Sequence, residues 1–173
     1  MTYKKTRLVI LMVMFVVMLS ACGAKAGLTE DDLIFQTNGG TFALNSDASK
    51  LVAALGEDYT FSEAVSCAYE GMDKRYIYDG IMVFTYPLDN IDRIDEIYIS
   101  SDAYSTSKGI TVGSTLSDIQ KAYGEDAMDV DGDGLLVLTT EGPSVDTDKP
   151  CLYFVMDGET VLEFSFYSAS NRQ

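Results

Sequence analysis

The sequence predicts an α+β fold in which two tandem helix-plus-antiparallel-strand repeats form one shared sheet with the helices on one face. The first sign is an internal repeat. Gly109–Asp126 reads GITVGSTLSDIQKAYGED and Phe42–Asp58 reads FALNSDASKLVAALGED. Ile110 aligns with Phe42, Val112 with Leu44, Ser114 with Ser46, Ile119 with Leu51, Ala122 with Ala54, and Gly124-Glu125-Asp126 with Gly56-Glu57-Asp58. The second sign lies C-terminal to each copy, where short runs rich in β-branched and aromatic residues, separated by turn residues, read as strands. The last of these runs also match, Ile97 with Phe164 and Ile99 with Phe166. The expected organisation is a leader at 1–21, a tether at 22–40, a first repeat at 41–107 and a second at 108–173.

Residues 1–21 carry Lys4, Lys5 and Arg7, then an apolar run from Leu8 to Leu19. A basic start, a short apolar stretch and small residues before a processing point make a secretory signal, too short for a retained membrane span. Leu19-Ser20-Ala21-Cys22 resembles the lipobox of bacterial lipoproteins. The resemblance implies cleavage before Cys22, acylation of that residue, and an extracytoplasmic chain lipid-anchored to the cell membrane. From Gly23 to Gly27 small residues form the start of the tether.

Leu33–Gln36 and Thr41–Leu44, flanking Asn38-Gly39-Gly40, form an expected hairpin. Ser46 or Asp47 then caps a helix whose apolar stripe is Leu51, Val52, Ala54 and Leu55, and Gly56 stops it. In the second copy Ser114 or Thr115 caps, Leu116, Ile119, Ala122 and Tyr123 make the stripe, and Gly124 stops. Both helices are short and amphipathic, so both need a surface to lie on. That surface is three strands per copy: Arg75–Tyr78, Ile81–Tyr86 and Ile94–Ser100, then Leu135–Thr139, Cys151–Met156 and Thr160–Tyr167. With Ile97, Ile99, Phe164 and Phe166 facing the helices, period-2 alternation turns Glu96, Tyr98, Glu163, Ser165 and Tyr167 to the opposite face.

The motif from Gly109 to Gly124 resembles the short-helix start of the outer-membrane lipoprotein family SmpA/OmlA, and of the secreted β-lactamase inhibitor proteins, which double such a unit. The resemblance implies a BLIP-like fold and a protein-binding sheet face. Its matching positions are structural (glycine for a turn, hydroxyl for a cap, apolar residues for packing), so no inhibitory residue carries over.

Composition narrows the chemistry. The net charge is −15, and loss of the leader would remove three cations and no carboxylate. Nucleic acid and electrostatic attachment to anionic lipid both need a basic face, so both are excluded as partners. The chain has no histidine, which removes Ser-His and Cys-His catalysis and the commonest transition-metal ligand. Ser105-Thr106-Ser107-Lys108 has the S-x-x-K spacing of serine acyl-enzymes, but it sits in a connector and lacks companion motifs. Asp129, Asp131 and Asp133 with Gly134 open like a calcium loop, yet Thr140 stands where the closing bidentate glutamate belongs. The two readings there are a calcium site and an acidic turn; no other cofactor is expected. Beyond Cys22 only Cys67 and Cys151 remain, one per copy, either a disulfide staple between them or two separate thiols.

Eleven tyrosines and no tryptophan supply the strands with amphipathic rings. Tyr76, Tyr78, Tyr98 and Tyr167, with Glu96 and Glu163, are the expected protein-binding residues, because exposed tyrosine on a rigid sheet gives large contact area at low entropic cost. The function these features point to is a membrane-anchored, non-catalytic module that binds a protein partner in the cell envelope through the sheet face opposite the helices. The alternative is a small-ligand receptor or a wall-acting enzyme using Glu96 and Glu163 as paired carboxylates.

Overall fold

The structure is a computed structural model that describes residues 27–170; the leader, Cys22 and the first residues of the tether lie outside the described residues. After a 3-10 turn at Glu30–Leu33, the hairpin forms as β1 (Ile34–Thr37) and β2 (Gly40–Ala43), with Phe35 opposite Phe42. Helix α1 (Ala48–Leu55) begins at Asp47, whose carboxylate accepts from the Ser49 N–H, and ends at Gly56 with φ 96°. Four strands come next in a meander: β3 (Thr60–Val65), β4 (Met72–Tyr78), β5 (Ile81–Leu88) and β6 (Ile91–Ile99). The β5–β6 turn is Asp89-Asn90, both at positive φ, a two-residue connection whose twist suits antiparallel strands.

Helix α2 (Leu116–Tyr123) is capped by Thr115 in a reciprocal box with Asp118. The remaining strands are β7 (Leu135–Thr139), β8 (Gly142–Ser144), β9 (Cys151–Asp157) and β10 (Thr160–Tyr167). Eight strands make one antiparallel sheet in the order β3-β4-β5-β6-β10-β9-β7-β8. The fold is thus α+β. The expected third strands meet at the middle of that sheet, Phe164 opposite Ile99 and Phe166 opposite Ile97.

A single core joins both ends of the sheet. Leu51 from α1 and Ile119 and Tyr123 from α2 are buried with Ile81, Val83, Ile97, Ile99, Leu136, Phe154, Phe164 and Phe166, and Phe35 and Phe42 of the hairpin close the same cluster. Three expected stripe positions of α1 differ: Ala54 is exposed and Val52 and Leu55 are half-buried, so α1 buries only the row through Ala48 and Leu51, whereas α2, of the same length, buries Ile119 and Tyr123. The chain also fixes each helix entry to a central strand. Asn45 N–H donates to the Ile94 carbonyl and Ile94 N–H to Ser46; likewise Gly113 N–H donates to Val161 and Val161 N–H to Ser114.

Strands β3 and β8 were not expected from the sequence. β3 is exposed at nearly every position and shows no apolar period, and β8 is three residues with Pro143 at its centre.

Candidate interaction face

Strand register sorts the side chains by face, since directly paired residues point the same way. On the face away from the helices one row runs Val137, Tyr153, Ser165, Tyr98, Met82, Ile77. The next runs Thr139, Cys151, Tyr167, Glu96, Phe84, Arg75. Glu163 shares this face, opposite Val155.

Of the expected binding residues, Glu96, Tyr98, Glu163 and Tyr167 therefore gather here, all half-buried. Glu96 sits at the centre. Its Oε1 accepts from the Ser165 hydroxyl at 2.5 Å and from the Tyr153 hydroxyl. Burial, reinforced by the neighbouring Glu96 carboxylate, pushes the Tyr153 phenol well above its ordinary value. Tyr98 is raised likewise, by burial first and then by its hydrogen bond to Glu163. Both rings are thus protonated donors fixed to carboxylates, and Ser165, though it faces away from the helices, is fully buried.

Tyr76 and Tyr78 are a correction. They pair with Val83 and Ile81, so they lie on the helix face and pack against the core. Tyr78 donates to the Val52 and Gly56 carbonyls at 3.3 Å, closing the end of α1, and burial pushes its phenol up to about 12. The signal was present in the sequence. A two-residue Asp79-Gly80 turn makes Tyr78 the partner of Ile81, and Ile81 belongs to the core face, so turn length fixed the side that alternation alone left open.

Of the two readings for the cysteines, the structure has separate thiols: no bond joins Cys67 and Cys151. Cys67 lies just after β3 at one edge of the sheet and Cys151 begins β9, with β4, β5, β6 and β10 between them. At about 4.8 Å per strand that separation far exceeds the reach of a disulfide.

The acidic loop is built by its own backbone. Asp129 accepts from the Gly132 and Gly134 N–H groups, each at 2.7 Å, and Asp133 from Leu135 at 2.9 Å. These bonds hold the Asp129 carboxyl below its ordinary value. Asp129, Asp131 and Asp133 are not brought into a cluster that could hold a metal ion, and no such cluster occurs among the described residues.

The Ser107-Lys108 pair has a structural role that the sequence did not reveal. Ser107 donates to Asp32 at 2.6 Å, and the Lys108 ammonium lies 3.1 Å from the same buried carboxylate and 4.5 Å from the centre of the Tyr123 ring. Lys108 also donates to the Gly27 carbonyl at 2.7 Å. This cluster pins the segment from Gly27 to Asp32 to the connector between β6 and α2. Asp32 and Lys108 are too far apart in sequence for spacing to show it.

No protein-family model matches the chain, and no curated protein matches it as a relative. Among solved structures it is similar to the uncharacterized protein YfeY from Escherichia coli, at 9% identity and a TM-score of 0.41, over 73% of this chain and 92% of that one.

Proposed function

We propose that this chain is a lipid-anchored extracytoplasmic protein that binds another protein of the cell envelope through the sheet face opposite its helices, without catalysis. The observation that carries the reading is the central pair of rows on that face. Tyr153, Tyr98, Tyr167, Phe84 and Met82 offer half-exposed apolar area on adjacent strands, and two of the rings are fixed by Glu96 and Glu163. Fixed rings lose little entropy when a partner covers them. The same bonds weigh against the enzyme reading, because Glu96 already accepts two hydroxyls of its own chain.

The architecture behind this reading is a duplicated, BLIP-like unit, 41–107 and 108–173. In its support, α1-β4-β5-β6 and α2-β7-β9-β10 run in the same order. The residues that precede each helix pair in the same way with the opening of the last strand, Asp47 with Arg93 and Thr115 with Thr160. Lys121 at the end of α2 and the acidic turn at Asp129 have no counterparts in α1 or after it, so the two units have diverged outside this framework.

A photo-crosslinking residue at Phe84 on the outer face, in cells, should yield a discrete protein adduct, while the same residue at Ala53 on exposed α1 should not. Tyr98→Ala with Tyr167→Ala should abolish the Phe84 adduct. Adducts from Ala53 alone, or a Phe84 adduct indifferent to the double change, would remove this face from consideration. For the anchor, Cys22→Ser should shift the chain from the membrane fraction to the soluble one.

A further inference from the structure

We infer that strand β3 is a docking edge for an extended, basic peptide segment, which would add to the sheet as a ninth strand. This site is separate from the outer face and does not rest on it.

The sheet has two ends, and they are guarded to different degrees. Native proteins blunt sheet edges with short strands, proline, bulges or inward charge, because a row of unpaired N–H and C=O groups will pair with any extended chain. β8 fits that rule, being three residues long with Pro143 at its centre. β3 is less protected: it has six residues in unbroken register with β4, no proline or bulge, a single charge at Glu63, and among the described residues it pairs on one side only. Phe61 is 46% and Val65 76% exposed, so the edge is apolar as well as open.

The neighbours of the edge determine what it would accept. Phe61, Glu63 and Val65 share the helix-side face of β3 by alternation, and Phe61 pairs with Tyr76. From Phe61 a chain of rings leads inward: Phe61 to Tyr76 at 5.3 Å, Tyr76 to Tyr59 at 5.2 Å, Tyr59 to Tyr78 at 5.3 Å. Two of these rings, Tyr59 and Tyr76, line a cleft of about 470 Å³ whose charged lining residues are Asp47, Glu57 and Asp92, all acidic. Lys74, opposite Glu63, gives its ammonium to Asp92 at 2.7 Å, and Arg75 lies on the other face, bonded to Ser62. An added strand would place alternate side chains beside Phe61, Glu63 and Val65. Cations suit the first two, through the ring face and the carboxylate, and an apolar group suits the third. A second copy of this chain suits them poorly, since it would set Glu63 near Glu63 and bring together two chains of net charge −15.

The test uses the full chain in detergent and a synthetic octapeptide, Thr-Val-Thr-Arg-Thr-Arg-Thr-Thr, whose alternate Val, Arg and Arg side chains would meet Val65, Glu63 and Phe61 in antiparallel register, with amide hydrogen exchange as the readout. The expected result is slowed exchange confined to Thr60–Val65, absent with the same peptide N-methylated at alternate amides, which keeps its charge but cannot complete a ladder. Glu63→Lys should weaken binding by about three- to tenfold, the range of a cross-strand pair turned from attraction to repulsion, while Tyr98→Ala with Tyr167→Ala should leave it unchanged. Equal binding of the N-methylated peptide would reduce the effect to bulk charge attraction and overturn the proposal, as would no binding at all. Protection of β3 that rises with protein concentration in the absence of peptide would overturn it in favour of a second copy.

Discussion

The half of the sheet beneath α1 and the half beneath α2 agree at the centre and part company at the rim. At the centre β6 and β10 are direct neighbours, each presenting three buried side chains to the core, Ile94, Ile97 and Ile99 from one and Val161, Phe164 and Phe166 from the other, and each tied at its opening to the residues before a helix. At the rim the α1 half ends in a six-residue exposed strand made before β4, whereas the α2 half ends in a three-residue strand made after β7. Burial explains the difference. A position that fills the shared core admits few residues, so both halves keep the same shape there, while an edge that touches only one neighbour can lengthen, shorten or change its place in the chain at little cost in stability.

The largest expected effect tests the agreement at the centre. Phe164 is fully buried and contacts Phe154 and Phe166 in the core. Phe164→Ala should cost about 3 to 5 kcal/mol, the usual range for deleting a buried aromatic ring, and Ile97→Ala on the facing strand about 2 to 5 kcal/mol. Both variants should lower the urea midpoint of one and the same transition followed by two probes, one in each half. Two separate transitions, with Phe164→Ala moving only that of the α2 half, would show that the halves are independent and that the common core does not couple them.

An intermediate effect comes from the clamp that joins Gly27 and Asp32 to Ser107 and Lys108. Burial opposes the charge on Asp32, but hydrogen bonds from Ser107 and Thr29 and the Lys108 ammonium outweigh it, and its carboxyl lies below the ordinary value of 3.8. A folded-state value lower than the unfolded one contributes stability that is complete above the unfolded value and is lost as pH falls through the folded one. Stability should therefore decline as pH drops through 3.8 and below, and Asp32→Asn should flatten that decline while weakening the fold at neutral pH. Lys108→Ala, which leaves a buried carboxylate without its cation, should cost about 1 to 3 kcal/mol by urea titration at neutral pH. An acid profile identical in wild type and Asp32→Asn would place the acid sensitivity elsewhere.

Much of this was legible in the chain, for reasons that differ by element. Both helices, their glycine stops and the first hairpin could be read because cap, stripe and turn residues act within a few positions of one another. The central strands could be read because Ile97, Ile99, Phe164 and Phe166 alternate cleanly with polar residues. β3 could not, since a strand exposed on both faces carries no burial period: Phe61, Ala64 and Val65 do not alternate. Of the candidate face, Glu96, Tyr98, Glu163 and Tyr167 could be placed by alternation. Tyr153, which completes the hydrogen bonding to Glu96, depends on a pairing between β9 and β10 whose register contains a bulge between Val161 and Glu163. A bulge reverses the faces beyond it and leaves no mark that a count of residues can detect.

The smallest expected effect separates the two helices themselves. Asp47 caps α1 through one bond, from the Ser49 N–H at 2.9 Å. At α2 the Thr115 hydroxyl accepts from the Asp118 N–H at 3.2 Å, while the Asp118 carboxylate accepts from the Thr115 N–H at 3.0 Å and from its hydroxyl at 2.7 Å. Two backbone donors are satisfied at α2 and one at α1, and an unsatisfied N–H at a helix start is what a cap prevents. Thr115→Ala should cost about 1 kcal/mol, and Asp47→Ala less. Acid should narrow the gap. Both carboxyls are held below their ordinary value, Asp47 by its bonds to Ser49 and Asp118 by its bonds to Thr115, so both contributions are complete above 3.8 and are lost as pH falls through the lower folded-state values. Urea midpoints of the two variants should therefore differ at neutral pH and draw together in acid. If Asp47→Ala proves the more damaging at neutral pH, then charge at the helix start outweighs the number of bonds, and α1 rather than α2 has the better cap.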